Sequence, residues 1–166
     1  GYHRDEMTWK SVPQLLGMLI DGVSKNGNLL LNVGPTARGE FDDRAVERLT
    51  GMGAWMRRHS RSIYGCGPAP EDLETPKDCR YTFNPETGRL YLHIFAWPFR
   101  TIVLPELAGK VAYAQLLHDA SEVMFREATG EPTRHGDRVP DGSVILDLPV
   151  VKPSVEIPVV ELYLKR

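Results

Sequence analysis

From Ser11 to Lys25 the apolar residues Val12, Leu15, Leu16, Leu19, Ile20 and Val23 recur every three or four positions, which puts them on one face of a helix. Both ends of that helix are marked. Ser11 can accept from the free amides of the first turn while Gln14 reaches back, and Asn26-Gly27 supply the left-handed residues that end a helix. Leu29, Leu30, Leu31 and Val33 then make a short apolar run, interrupted by Asn32 and closed by Gly34-Pro35, as expected of a strand with both faces buried. A second helix is predicted from Asp43 to His59, capped by Asp42 or Asp43. Its expected inner stripe is Val46, Leu49, Met52, Gly53 and Met56, with Arg57, Arg58 and His59 complementing the negative end of the helix dipole.

Beyond Gly65 the period changes. Gly67-Pro-Ala-Pro70 and an acidic stretch to Lys77 read as a linker. After it, Arg80 to Phe83 and Arg89 to Trp97 alternate in the manner of strands around Asn84-Pro-Glu-Thr-Gly88, a hairpin loop. Leu90, Leu92, Ile94 and Ala96 share one face, and Tyr91, His93, Phe95 and Trp97 the other. Further strands are predicted at 101–104, 111–117, 122–127, 144–148 and 159–164. Seven short strands spaced by Pro, Gly and Asp point to an antiparallel β-sandwich.

A helix, a doubly buried strand and a helix cannot close a core alone, because such a strand needs parallel neighbours on both edges. The expected fold class is therefore α/β followed by all-β: residues 1–65 as the terminal helix-strand-helix piece of a (β/α)8 barrel, 66–79 as a linker and 80–166 as a β-sandwich. A complete barrel takes roughly 250 residues, so the rest of it is expected upstream. Composition agrees with a globular protein, at 42% hydrophobic and 25% charged. With 20 Lys and Arg against 22 Asp and Glu, the formal charge of -2 leaves no footprint for nucleic acid or an anionic membrane. The first residues do not read as a signal peptide. Cys66 and Cys79 permit one disulfide or two thiols; a single bridge makes no disulfide scaffold, and the thiol reading is preferred.

The wording Val23-Ser-Lys-Asn-Gly-Asn-Leu-Leu-Leu-Asn-Val-Gly-Pro35, with Gly1-Tyr2 before it and Trp55 to Ile63-Tyr64-Gly65 after it, resembles the α-L-fucosidases of glycoside hydrolase family 29. The resemblance is in wording over residues 1–65 and only in architecture past residue 80. It implies the C-terminal portion of a retaining enzyme that removes terminal α-linked L-fucose from glycans or fucosides, built as a catalytic barrel followed by a sandwich, without cofactor. One stretch departs from the pattern. Where the family often has Asn-Gly-Glu-Ala, this chain has His59-Ser60-Arg61-Ser62, so no role of that Glu carries over.

Retaining hydrolysis needs a nucleophile and an acid/base carboxyl group roughly 5 to 5.5 Å apart. The resemblance places both on earlier strands, so no catalytic residue is expected in this chain, and the chain alone is expected to be inactive. Asp5 and Glu6 read as solvated loop residues. Barrel sites gather at the C-terminal ends of the strands, which makes Tyr2 and Asn32 the candidate substrate-binding residues. For Asn32 a hydrogen bond to a neighbouring loop is the competing reading, and for Tyr2 a packing role. Lys25 reads as a helix-end cation. His3, His59, His93, His118 and His135 have no metal-ligand spacing, and no metal site is expected. Gly51-Met-Gly53 reads as a close-packing pair. The expected partners are the fucosylated substrate and the upstream barrel segment. The alternative is a non-catalytic carbohydrate-binding or structural sandwich that docks on a partner barrel chain, with Tyr91, Phe95, Trp97 and Phe99 as its aromatic face.

Overall fold

Ser11 opens helix α1 (Val12–Ser24) with a reciprocal cap: its hydroxyl accepts from the Gln14 amide at 3.3 Å, and the Gln14 side chain accepts from the Ser11 amide at 2.8 Å. Asn26 ends the helix in the left-handed region at φ 62°, where its short polar side chain is tolerated. In this computed structural model, which describes residues 2–130, 132, 136 and 138–166, helix α2 (Asp43–His59) follows, capped by Asp42, and runs into a 3₁₀ turn at Ser60–Ser62. Gly1 and His135, named above, lie outside the described residues.

Among the described residues seven strands follow: β1 (Cys79–Asn84), β2 (Arg89–Ile94), β3 (Thr101–Leu104), β4 (Val111–Leu116), β5 (Met124–Glu127), β6 (Val144–Asp147) and β7 (Val159–Leu164). They pair antiparallel into a four-stranded sheet in the order β1-β2-β7-β4 and a three-stranded sheet in the order β3-β6-β5. The β1–β2 hairpin turns where the sequence expects it. Asn84 Oδ1 accepts from the amides of Glu86 and Thr87, and Gly88, at φ 70°, returns the chain to the ladder.

Alternation along β2 divides the interior into two cores. Leu90, Leu92 and Ile94 join Leu104, Leu146, Val160 and Leu162 between the sheets. Tyr91 and Val159, on the opposite face of the four-stranded sheet, meet Leu16, Ile20, Val23, Trp55 and Ile63 from the helical part. Trp55 fixes that contact by donating from Nε1 to the carbonyl of Glu156 at 2.8 Å. The stretch expected as a linker lies along this body: Gly67 exchanges two 2.9 Å backbone bonds with Phe83, and Ala69 and Leu73 pack on the inter-sheet core.

Four expectations are corrected. Leu29 to Val33 form no strand, and Leu30 is 91% exposed. The physical reason is that among the described residues no neighbouring strand takes up its backbone groups, so an apolar run without ladder partners stays outside the sheets. The buried line of α2 is Ala45, Trp55 and His59 with Met52 and Met56 half-buried, whereas Val46 and Leu49 are exposed. The two lines share the methionines; the sandwich draws Trp55 inward and rolls the other edge outward. His59 is no helix-end cation: it is buried, and desolvation pulls its pKa down to about 4, so the ring is neutral at pH 7. Of the two glycines, Gly51 alone is a close contact. A Cβ there would sit 2.7 Å from Val12 Cγ2, while one at Gly53 would meet nothing within 4 Å.

Candidate functional site

The segment that precedes α1 has few bonds of its own, and arginines of α2 hold it in place. Asp42, as the α2 cap, presents Oδ1 to the Arg44 amide and to Arg44 Nε, both at 2.8 Å. Its Oδ2 accepts from the Tyr2 hydroxyl at 3.0 Å. Arg44 then donates to the carbonyls of Arg4 and Glu6, each at 2.9 Å, and Arg48 donates to the Lys10 carbonyl at 3.1 Å. The Arg44 guanidinium sits 4.5 Å from the centre of the Trp9 ring.

Between this segment, the 31–34 stretch and α2 lies a pocket of about 280 Å³, bordered by Tyr2, Trp9, Leu31, Asn32, Ala45 and Arg48, among others. Its volume is near the lower end of ligand sites, roughly 300 Å³. The structure brings the two sequence candidates, Tyr2 and Asn32, to one pocket. Asn32 is exposed there, and Tyr2 is half-buried and tied to Asp42. Trp9 Nε1 is buried in the pocket region without a hydrogen-bond partner among the described residues.

Electrostatics around the pocket are those of a fixed wall. The Arg44 hydrogen bonds hold the Asp42 carboxyl well below the usual carboxylate range, and burial together with Asp42 raises the Tyr2 phenol, so Tyr2 remains a donor. Glu6 accepts from the amide and hydroxyl of Thr8, which lowers its pKa. A general acid at neutral pH needs a raised carboxyl pKa, so Glu6 is tuned the wrong way. Asp5 pairs with Arg4 at the surface. Among the described residues no group of three or more His, Cys, Asp and Glu side chains comes together to hold a metal, and no helix is long and apolar enough to cross a membrane.

The other residues singled out by sequence take structural places. Lys25 pairs with Asp21 at 3.0 Å, and Asp21 also binds Arg80 of β1 at 3.1 Å, which ties α1 to the sheet. Cys66 and Cys79 are free thiols, pushed up to about 11 and about 12 by burial and therefore weak nucleophiles. Three of the four aromatics of the alternative reading take structural places. Tyr91 packs under the helices, Phe95 lies 3.8 Å from where a Cβ on Gly17 would be, and Trp97 packs on the inter-sheet core and donates to the Pro149 carbonyl.

Sequence reasoning missed Trp9 and Arg48 at the pocket, Arg44 behind its wall, and Glu161 at the helix-sheet junction. Glu161 is the one carboxylate that is fully buried among the described residues, bound by Arg61 at 2.8 Å and Gln115 at 2.7 Å. Arg61, together with Ser62, whose Oγ lies 3.1 Å from His93 Nε2, thus joins the divergent His59-Ser60-Arg61-Ser62 stretch to the sandwich. The alternation of β7 gave the only signal, since it puts Glu161 in a run of inward residues where a charge needs a partner.

Comparison with known proteins covers the whole chain. A family model described as alpha-L-fucosidase matches residues 1–61. The plasma alpha-L-fucosidase of Rattus norvegicus is 29% identical over 154 residues, which is 90% of this chain and 31% of that protein. Alpha-L-fucosidase isoenzyme 1 from Paenibacillus thiaminolyticus superposes with a TM-score of 0.85 at 36% identity, covering 100% of this chain and 37% of the solved one. The Thermotoga maritima alpha-fucosidase gives a TM-score of 0.77 at 27% identity over 98% of this chain and 36% of its own. The chain therefore spans about a third of the length of these relatives.

Proposed function

We propose that this chain is the C-terminal portion of a retaining α-L-fucosidase, in which residues 1–65 complete a (β/α)8 barrel, 66–79 connect, and 80–166 form a sandwich that buttresses the barrel's last helices. The observation that carries this reading is the 0.85 TM-score superposition on the Paenibacillus enzyme over 100% of this chain but 37% of that one. The bare apolar surface supports it. Leu30, Val46, Leu49, Phe41 and Met7 are all exposed, and all belong to the part that a barrel's remaining strands and helices would cover.

In this reading the complete enzyme hydrolyses terminal α-linked L-fucose with net retention. A carboxylate nucleophile displaces the leaving group and forms a glycosyl-enzyme bond, and a second carboxyl group protonates the leaving oxygen and later activates water. Both groups come from the upstream part of the enzyme. This chain supplies one wall of the sugar pocket through Tyr2 and Asn32, and needs no metal or cofactor for the reaction.

The test is an assay of the 166-residue chain, alone and joined to the sequence that precedes it, on 4-nitrophenyl α-L-fucoside. The chain alone is expected to give no turnover, and the longer protein to release nitrophenol with α-L-fucose as the first-formed anomer by NMR. Turnover by the isolated chain, or none by the longer protein, contradicts the proposal.

A further inference from the structure

We propose that Arg44 is a positioning residue of the Tyr2–Asn32 pocket, acting as a clamp that sets where Tyr2 and Trp9 stand; the proposal rests on the fucosidase reading of that pocket. Residues 3–8 are exposed, and they contribute nothing to either hydrophobic core. One internal backbone bond, Glu6 amide to His3 carbonyl at 3.2 Å, is too little to fix the path of such a segment. Its placement comes from α2.

Arg44 has five N–H donors in a rigid plane. Nε and Nη2 chelate Asp42 at 2.8 and 3.0 Å, Nη1 takes the Glu6 carbonyl, Nη2 also takes the Arg4 carbonyl, and the flat face lies over Trp9. Asp42 in turn receives the Tyr2 hydroxyl. One side chain thus links the helix cap, two carbonyls of the segment and both aromatic residues of the pocket wall. A lysine keeps the charge, but as a single ammonium it cannot make the planar, forked set of bonds. The clamp requires arginine for its shape.

Arg44 touches neither core, so its loss leaves α1, α2 and the sandwich in place while it frees the wall. A wall that binds ground state and transition state alike acts on KM.

The experiment compares wild type, Arg44→Ala and Arg44→Lys in the complete enzyme on 4-nitrophenyl α-L-fucoside, and follows trypsin cleavage after Arg4 and Lys10 in this chain. Arg44→Ala is expected to raise KM about tenfold with kcat within about threefold, and Arg44→Lys to fail to restore it. Cleavage is expected to accelerate about tenfold with the thermal midpoint nearly unchanged. Unchanged KM in Arg44→Ala, or full recovery in Arg44→Lys, overturns the clamp while the fucosidase reading stands. Absence of turnover in the wild-type complete enzyme instead overturns that reading and the positioning role with it.

Discussion

Strand β2 and the 29–33 run are similar in text and opposite in fate. Leu90 and Leu92 of β2 are fully buried, while Leu30, in a run at least as apolar, is almost fully exposed. The difference is in their neighbours. β2 lies between β1 and β7 with paired backbone on both edges, and its two faces meet two cores. The 29–33 run has the composition of an inner strand and, among the described residues, no partner strand to make it one. Apolar sequence states a requirement for burial; an extended run meets it only with paired neighbours.

The largest effect that would break this comparison is side-chain truncation. Leu92→Ala is expected to cost about 2–5 kcal/mol by urea unfolding of this chain, and Leu30→Ala less than about 0.5 kcal/mol. Equal costs would mean that the 29–33 run is packed here. In the proposed complete enzyme, Leu30→Ala should rise into the first range.

Acid sharpens the comparison from the other side, because the helix-sheet junction hides two histidines. His93, fully buried between Arg80 O and Ser62 Oγ, is pulled down to about 3, and His59, stacked on Trp55 and facing His118 and Arg58, to about 4, both by desolvation first. These folded values lie below the ordinary 6.5, so the unfolded chain binds more protons between them. Stability therefore falls as pH drops from 6.5 toward 4, by up to roughly 1.4 kcal/mol per pH unit for each histidine. Denaturant midpoints from pH 7 to pH 4 measure it. His93→Gln should flatten the slope by about half, and an unaltered slope would remove the histidines as its cause.

A smaller effect concerns the junction's ion pair. Arg61→Ala leaves Glu161 with Gln115 and the more distant Arg89, 4.0 Å away, and is expected to destabilise the chain by about 1–2 kcal/mol. Smaller still, Ser11→Ala removes the reciprocal cap of α1 and should cost about 1 kcal/mol. In each case the loss falls on packed elements and leaves exchange at 29–33 as fast as before.

How much could be read from sequence follows the range of the interactions. The α1 cap spans four residues and the β1–β2 loop five, so Ser11, Gln14, Asn84 and Gly88 announced both. The seven strands were marked by alternation and by Pro, Gly and Asp between them. The roll of α2 was not legible, because Leu49 and Trp55 lie on rival apolar lines and the choice depends on where the sandwich docks, about a hundred residues away in sequence. The pocket followed the same rule. Tyr2 and Asn32 were named as candidates from the expected strand end and opening loop, but Arg44 reaches carbonyls 38 and 40 residues away, a contact that no local pattern encodes.

The account stands most directly on amide hydrogen exchange at Leu29 to Val33, compared with Leu90 to Ile94 as an internal reference. In the 166-residue chain the first set is expected to exchange near the rate of unstructured peptide while the second is protected by the global stability. In the proposed complete enzyme the first set should slow by at least about a hundredfold and approach the second. Protection of 29–33 in the isolated chain, or its continued fast exchange in the longer protein, would contradict the claim that this run is a barrel strand awaiting its neighbours.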